Sequence, residues 1–166
     1  MPKEVASRTL TEWVVLGLLA EGANHGFALA RLLAPGGEVG RVWSASRPLT
    51  YRAIDQLADD DWISPVRTEA GRGPQRTVHE VTPSGRRALQ AWLQTPVPRF
   101  RDVRAILLVK LHLLERSRRS IRGLLTAQRR VFEPLLVEVR DTPVVDSVTR
   151  WRRTQAEAIA EFVDLR

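Results

Sequence analysis

Between Thr9 and Leu93 the chain runs through three helix-periodic segments, each closed by its own stop signal. Two short β-type runs follow, separated by Gly71-Arg72-Gly73-Pro74-Gln75-Arg76. Few folds accept that order. Extended runs around a Gly/Pro/Arg tip make a hairpin, and a hairpin hung directly on a helix-turn-helix is a wing.

The first segment covers Thr9 to Glu21, where Leu10, Trp13, Val14, Gly17 and Leu18 recur at three- and four-residue spacing. Thr9 or Thr11 can cap it, and Gly22-Ala23-Asn24 ends it. The second runs from about His25 to Leu33, with Phe27, Ala30, Leu32 and Leu33 as its apolar side and Pro35-Gly36-Gly37 as its stop.

The third segment says most about function. Ser44 or Ser46 can cap it, Pro48 suits its first turn, and it continues to about Asp59. At about 100° per residue, Ala53, Ile54, Leu57 and Ala58 form an inward stripe with Thr50 beside it. Pro48, Arg52, Asp55 and Gln56 fall opposite, with Tyr51 on the border and Arg47 at the entry.

Arg and Gln match guanine and adenine edges in the major groove by paired hydrogen bonds. The hydroxyls of Ser46, Thr50 and Tyr51, like a helix N-terminus, suit phosphate oxygens. No carboxylate occurs from Arg41 to Ala53, whereas Asp55, Asp59, Asp60 and Asp61 follow. A helix entering a groove by its N-terminal end tolerates acids at the far end, and Asp55 is the exception. Arg72 and Arg76 at the hairpin tip suit phosphate or minor-groove contact. The expected DNA-contacting set is therefore Ser46, Arg47, Pro48, Thr50, Tyr51, Arg52, Gln56, Arg72 and Arg76.

This order of elements resembles the PadR family of winged-helix transcriptional regulators, most specifically over residues 10–93. The resemblance rests on Leu10–Leu19, on His25-Gly26-Phe27, and on Leu49-Thr50-Tyr51 with Ile54, Leu57 and Trp62-Ile63. It extends through Gly71–Arg76, Val81-Thr82-Pro83-Ser84-Gly85-Arg86 and Ala91-Trp92-Leu93 to Phe100-Arg101-Asp102 and Leu107–Leu111. Two positions depart from the family pattern. Val78-His79 stands where an aromatic is usual on the returning wing strand. Asp61 stands where a glycine usually ends the recognition helix, at a higher cost for a left-handed conformation. The resemblance implies a homodimer on a pseudo-palindromic operator, released by a ligand or cellular signal.

Residues 98–166 read as helices. Val103, Ile106, Leu107, Leu111 and Leu114 give one stripe. Ile121, Leu124, Leu125, Phe132, Leu135, Leu136 and Val139 give a second, which Pro134 is expected to kink or split. Thr142-Pro143 marks the start of a last helix with Val145, Val148, Ile159, Phe162 and Val163 facing inward. The expected fold is mainly α with a small β-hairpin wing: a winged helix-turn-helix DNA-binding domain over residues 1–95 and a C-terminal α-helical dimerisation region over residues 96–166.

Charge alone would misplace the site. Residues 1–95 carry 11 Lys/Arg against 10 Asp/Glu, and residues 96–166 carry 15 against 9, so most of the +7 lies in the second half. The arginine runs there (Arg116, Arg118, Arg119, Arg122; Arg129, Arg130; Arg150, Arg152, Arg153) read first as a solvated, ion-paired face and second as a flanking phosphate contact.

Enzymatic and metal chemistry find little footing. The chain has no cysteine, and no two of its three histidines share a helical ligand spacing. No phosphate loop follows a strand, and the Asp59-Asp60-Asp61 run reads as a solvated helix end. No cofactor is implied. The apolar run Trp13–Ala20 is far short of the roughly 20 residues that span a bilayer and reads as a buried helix, so a cytoplasmic protein without membrane contact is expected. Trp13, Trp43, Trp62 and Trp92 read as packing; Trp13 and Trp151 are the aromatics to test for a small aromatic or hydrophobic effector between subunits. Two other readings fit the residues: a winged-helix protein-interaction module that no longer reads DNA, and a MarR-like regulator, a family that places dimerisation helices ahead of the winged module.

Overall fold

The computed structural model describes residues 8–70 and 75–164. They fall into two compact units that divide between Trp92 and Leu93. In the first unit the order is α1 (Leu10–Glu21), β1 (Asn24–His25), α2 (Gly26–Leu33), α3 (Arg47–Asp59), β2 (Ile63–Glu69), β3 (Arg76–Val81) and most of α4 (Pro83–Gln94). This is the mainly helical winged fold that the sequence predicts.

Thr9 caps α1, its Oγ1 accepting from the Glu12 amide at 3.3 Å and donating to Glu12 Oε1 at 2.9 Å. The single apolar stripe read from the sequence is too narrow for this helix. Val15, Leu16 and Leu19 are buried along with Trp13, Val14 and Leu18, because α1 packs on both α3 and β3. A helix apolar on all sides is the centre of its domain. Trp13 stacks on Trp92 at 4.8 Å between centroids and meets Trp62 at 5.4 Å, so three of the five tryptophans are one packing cluster.

His25 caps α2 with Nδ1, which accepts from the Ala28 amide at 3.1 Å. The connection from α2 to α3 is folded back on α2: the amides of Val39 and Gly40 donate to the Leu32 carbonyl, and that of Ala45 to the Leu33 carbonyl. A Cβ on Gly40 would lie 1.9 Å from the Ala34 oxygen, so only glycine fits.

The sheet has order β1-β3-β2, antiparallel throughout. Asn24 and His25 pair with His79 and Val78, adding a third strand to the wing that two residues were too few to announce. Val66 bulges out between Pro65 (opposite His79) and Arg67 (opposite Val78).

Asp61, just past α3, has φ +56°. Its carbonyl accepts from the hydroxyls of Thr82 (2.7 Å) and Ser84 (3.0 Å), tying the helix exit to the start of α4.

The second unit holds a 3-10 turn (Phe100–Asp102), a π-helical stretch (Val103–Leu107), α5 (Leu108–Arg116), α6 (Arg122–Asp141) and α7 (Ser147–Asp164). Gln128 is fully buried. Its side-chain oxygen accepts from the Val97 amide at 2.7 Å and its nitrogen donates to the Val97 carbonyl at 2.8 Å, as a strand partner would.

Two expectations need correction. Pro134 does not split its helix, since α6 runs from Arg122 to Asp141 with the proline on its exposed side, where water can serve the backbone carbonyl left without a donor. α7 starts at Ser147 rather than near Pro143, because Asp146 is the cap and accepts from the Thr149 amide at 2.8 Å. Val145 and Val148 are therefore outside (79% and 54% exposed), while Ile159 and Val163 are buried.

Candidate nucleic-acid interface

The N-terminus of α3 is built by Ser46, whose Oγ accepts from the Leu49 amide at 3.4 Å, and by Pro48 in the first turn, where no amide hydrogen is needed. Thr50, Ala53, Ile54 and Leu57 are buried and anchor the helix against α1 and α2. That leaves Arg47, Pro48, Leu49, Tyr51, Arg52 and Asp55 exposed and Gln56 half-buried.

Thr50 was expected at the groove and is instead turned fully inward, its hydroxyl donating to the Ser46 carbonyl at 3.1 Å. A hydroxyl can close that bond to the residue four before it, which keeps it inside. Leu49, half exposed, was missed by the sequence reading. An apolar residue standing out on the first turn was the available signal, and such a side chain matches a thymine methyl.

Tyr51 takes its position from Gly26. A Cβ there would stand 2.7 Å from Tyr51 Cε1, so the bare glycine at the start of α2 is what lets the ring lie down.

Asp55 faces the wing. Burial pushes the His79 imidazole below its ordinary value, and the Asp55 charge and a Thr77 backbone hydrogen bond offset this only in part.

At the wing, Arg76 brings its guanidinium carbon to 4.6 Å from the Phe27 centroid; Arg47 lies 5.4 Å from that ring and 5.7 Å from Tyr51. Phe27 thus belongs to the site, although sequence reasoning placed it only on an apolar side. Arg72 lies outside the described residues. Of the two aromatics picked for an effector, Trp13 is buried in the tryptophan cluster of the first unit. Trp151 is 63% exposed in the second unit and borders a groove of about 480 Å³ with Phe100, Val103, Leu108, Ile159 and Phe162.

Residues 15–91 match the model of the transcriptional regulator PadR-like family. A curated relative, "Probable transcriptional regulator Rv1176c" of Mycobacterium tuberculosis, is 27% identical over 83 residues, half of this chain. The match spans 43% of that relative's length. Similar solved structures include Bacillus subtilis PadR in complex with operator DNA (21% identity, 92% of this chain and 95% of that one, TM-score 0.49). The same protein in complex with p-coumaric acid gives 19% identity, 94% and 95% coverage, and a TM-score of 0.48. The matched segment contains α2, α3, the strands of the wing and the Phe27 cluster, and over it the chain is similar to the PadR-like family of transcriptional regulators.

Proposed function

We propose that this protein is a transcriptional regulator, a sequence-specific DNA-binding repressor that reads the major groove with α3 and grips backbone or minor groove with the wing. The observation that carries the reading is the division of α3 into two sides. Thr50, Ala53, Ile54 and Leu57 lock the helix down, and Arg47, Pro48, Leu49, Tyr51 and Arg52 stand outward from its N-terminal half, in a stretch free of carboxylates from Arg41 to Ala53. Ser46 and Arg76 complete the described part of the contact set, with Gln56 reaching the groove further along the helix; Arg72 joins them from the sequence. Of the residues first expected to contact DNA, only Thr50 is left out.

The protein acts as a homodimer on a pseudo-palindromic operator, in the cytoplasm, without catalytic activity of its own. The second unit supports a partner copy with Val144, Val145, Val148 and Trp151, large apolar side chains exposed at and beside the start of α7. A small aromatic or hydrophobic effector is proposed for the Trp151 groove, whose lining is mostly apolar.

Selecting bound fragments from random-sequence DNA at two salt concentrations tests the core of this. An enriched motif with two-fold symmetry is the expected result. Retention of DNA without any sequence enrichment at either salt concentration would leave only a charge-driven binder and sink the reading.

A further inference from the structure

We infer that Phe27 is a platform holding Arg47 and Arg76 together, so that the entry of the recognition helix and the start of the returning wing strand grip one stretch of sugar-phosphate backbone as a unit; the inference rests on the DNA reading proposed above. Phe27 is the second residue of α2 and half-buried, so its ring is fixed by the helix-turn-helix rather than by either arginine. The guanidinium carbons of Arg47 and Arg76 lie 5.4 and 4.6 Å from its centroid and hence no more than about 10 Å from each other. Two like charges within about one screening length repel. Among the described residues neither has an ion-pair partner to offset this. What holds them is the negative face of one ring, helped at Arg47 by the Tyr51 ring at 5.7 Å.

Such a pair is poised for an anion. Guanidinium groups bind phosphate oxygens with paired N–H donors, and stacking on a ring leaves those donors free at the edge. The positive end of α3 stands beside Arg47, its first residue, and adds to the same field. Both arginines have exposed, rotamer-rich side chains, so fixing them before contact removes an ordering cost that binding would otherwise carry. Phe27 touches no base in this account. It is a positioning residue that makes the wing and the recognition helix act on the backbone together.

The test uses the full chain and fluorescence anisotropy on two duplexes of equal length, one carrying the most enriched selected sequence and one of mixed sequence. Phe27→Leu keeps an apolar side chain and both arginines, and it loses about fivefold to tenfold in affinity on both duplexes. Phe27→Tyr, which keeps a ring, restores most of that. In the native background Arg47→Ala and Arg76→Ala together lose less than the product of their separate losses, and in the Phe27→Leu background the losses multiply independently.

Wild-type affinity in Phe27→Leu, or independent arginine losses in the native background, overturns the platform while leaving the DNA reading standing. If the wild-type chain binds neither duplex, the DNA reading has failed before any variant is compared, and the platform falls with it. Should Phe27→Leu lack a cooperative thermal transition, the arginine cycle in the native background decides alone.

Discussion

The guanidinium carbon of Arg8 stands 3.6 Å from the centroid of the Trp62 ring, and its terminal nitrogens reach Glu12 at 3.1 Å and Asp60 at 2.7 Å. One nearly buried side chain thus joins the segment before α1 to the exit of α3. Removing it strands Asp60, whose side chain is only 21% exposed. Arg8→Ala is expected to cost about 2–3 kcal/mol, below the full range for a buried pair because Asp60 keeps some water. Arg8→Lys recovers little of this, since an ammonium neither stacks on indole nor serves two carboxylates from one plane. Urea melts measure both, and a lysine variant as stable as the wild type would refute the stacking account.

At the same corner two substitutions act in opposite directions. Asp61 holds φ +56°, which a glycine adopts without strain, while its hydrogen-bonding group there is the backbone carbonyl. Asp61→Gly therefore stabilises by about 0.5–1 kcal/mol, the relief of strain being partly offset by the looser unfolded chain. Gly85→Ala would place a Cβ 2.2 Å from the Trp62 oxygen, a backbone atom that cannot step aside. A loss of about 3 kcal/mol or more is expected. Thermal melts of the two variants should move apart from the wild type, and equal shifts would contradict the geometry.

What could be read from the residues, and what could not, follows from how local each signal is. The cap at Ser46, the proline at position 48 and the inward stripe of α3 are contained within a few turns of one helix, so the sequence carries them. The left-handed cost at Asp61 was likewise local and stands in the backbone. Other features depend on distant parts of the chain. β1 is two residues whose only reason to be a strand is β3, more than fifty positions later. Thr50 turned inward, and Phe27 became a ring under two arginines, because of elements their own neighbours do not specify. Val145 and Val148 looked like core by type, yet the Asp146 cap that starts α7 leaves both outside.

Asp55 sets a charge on the outward side of α3 beside the half-buried His79. If that side faces phosphate, Asp55→Asn should tighten binding to any duplex by a few-fold at low salt, with the gain fading as salt rises. Arg52→Ala should instead flatten the preference for the selected sequence over mixed sequence, where Arg76→Ala weakens both alike. Competition binding separates the cases. Weaker, sequence-dependent binding by Asp55→Asn would mean that the carboxylate itself accepts from a base edge and that its role here is misassigned.

Lys110 supplies a prediction independent of DNA. It is buried on α5, donates to the Thr95 carbonyl, and burial pushes its ammonium down to about 8. The unfolded chain holds that proton up to a pH near 10.5, so between about 8 and 10.5 the unfolded state binds more protons than the folded one. Stability must then rise with pH across that window. Below about 8 both states are charged, and the burial cost is present in full. The chain suits the measurement because Lys3 is its only other lysine, Tyr51 its only tyrosine, and it has no cysteine to titrate alongside. The urea midpoint of the wild type should climb between pH 8 and 10, by an amount equivalent to about 1–3 kcal/mol. Lys110→Met removes the ionisation, so its midpoint should stay level over the same interval. Parallel pH profiles for the two proteins would show that the ammonium is not desolvated in the folded chain.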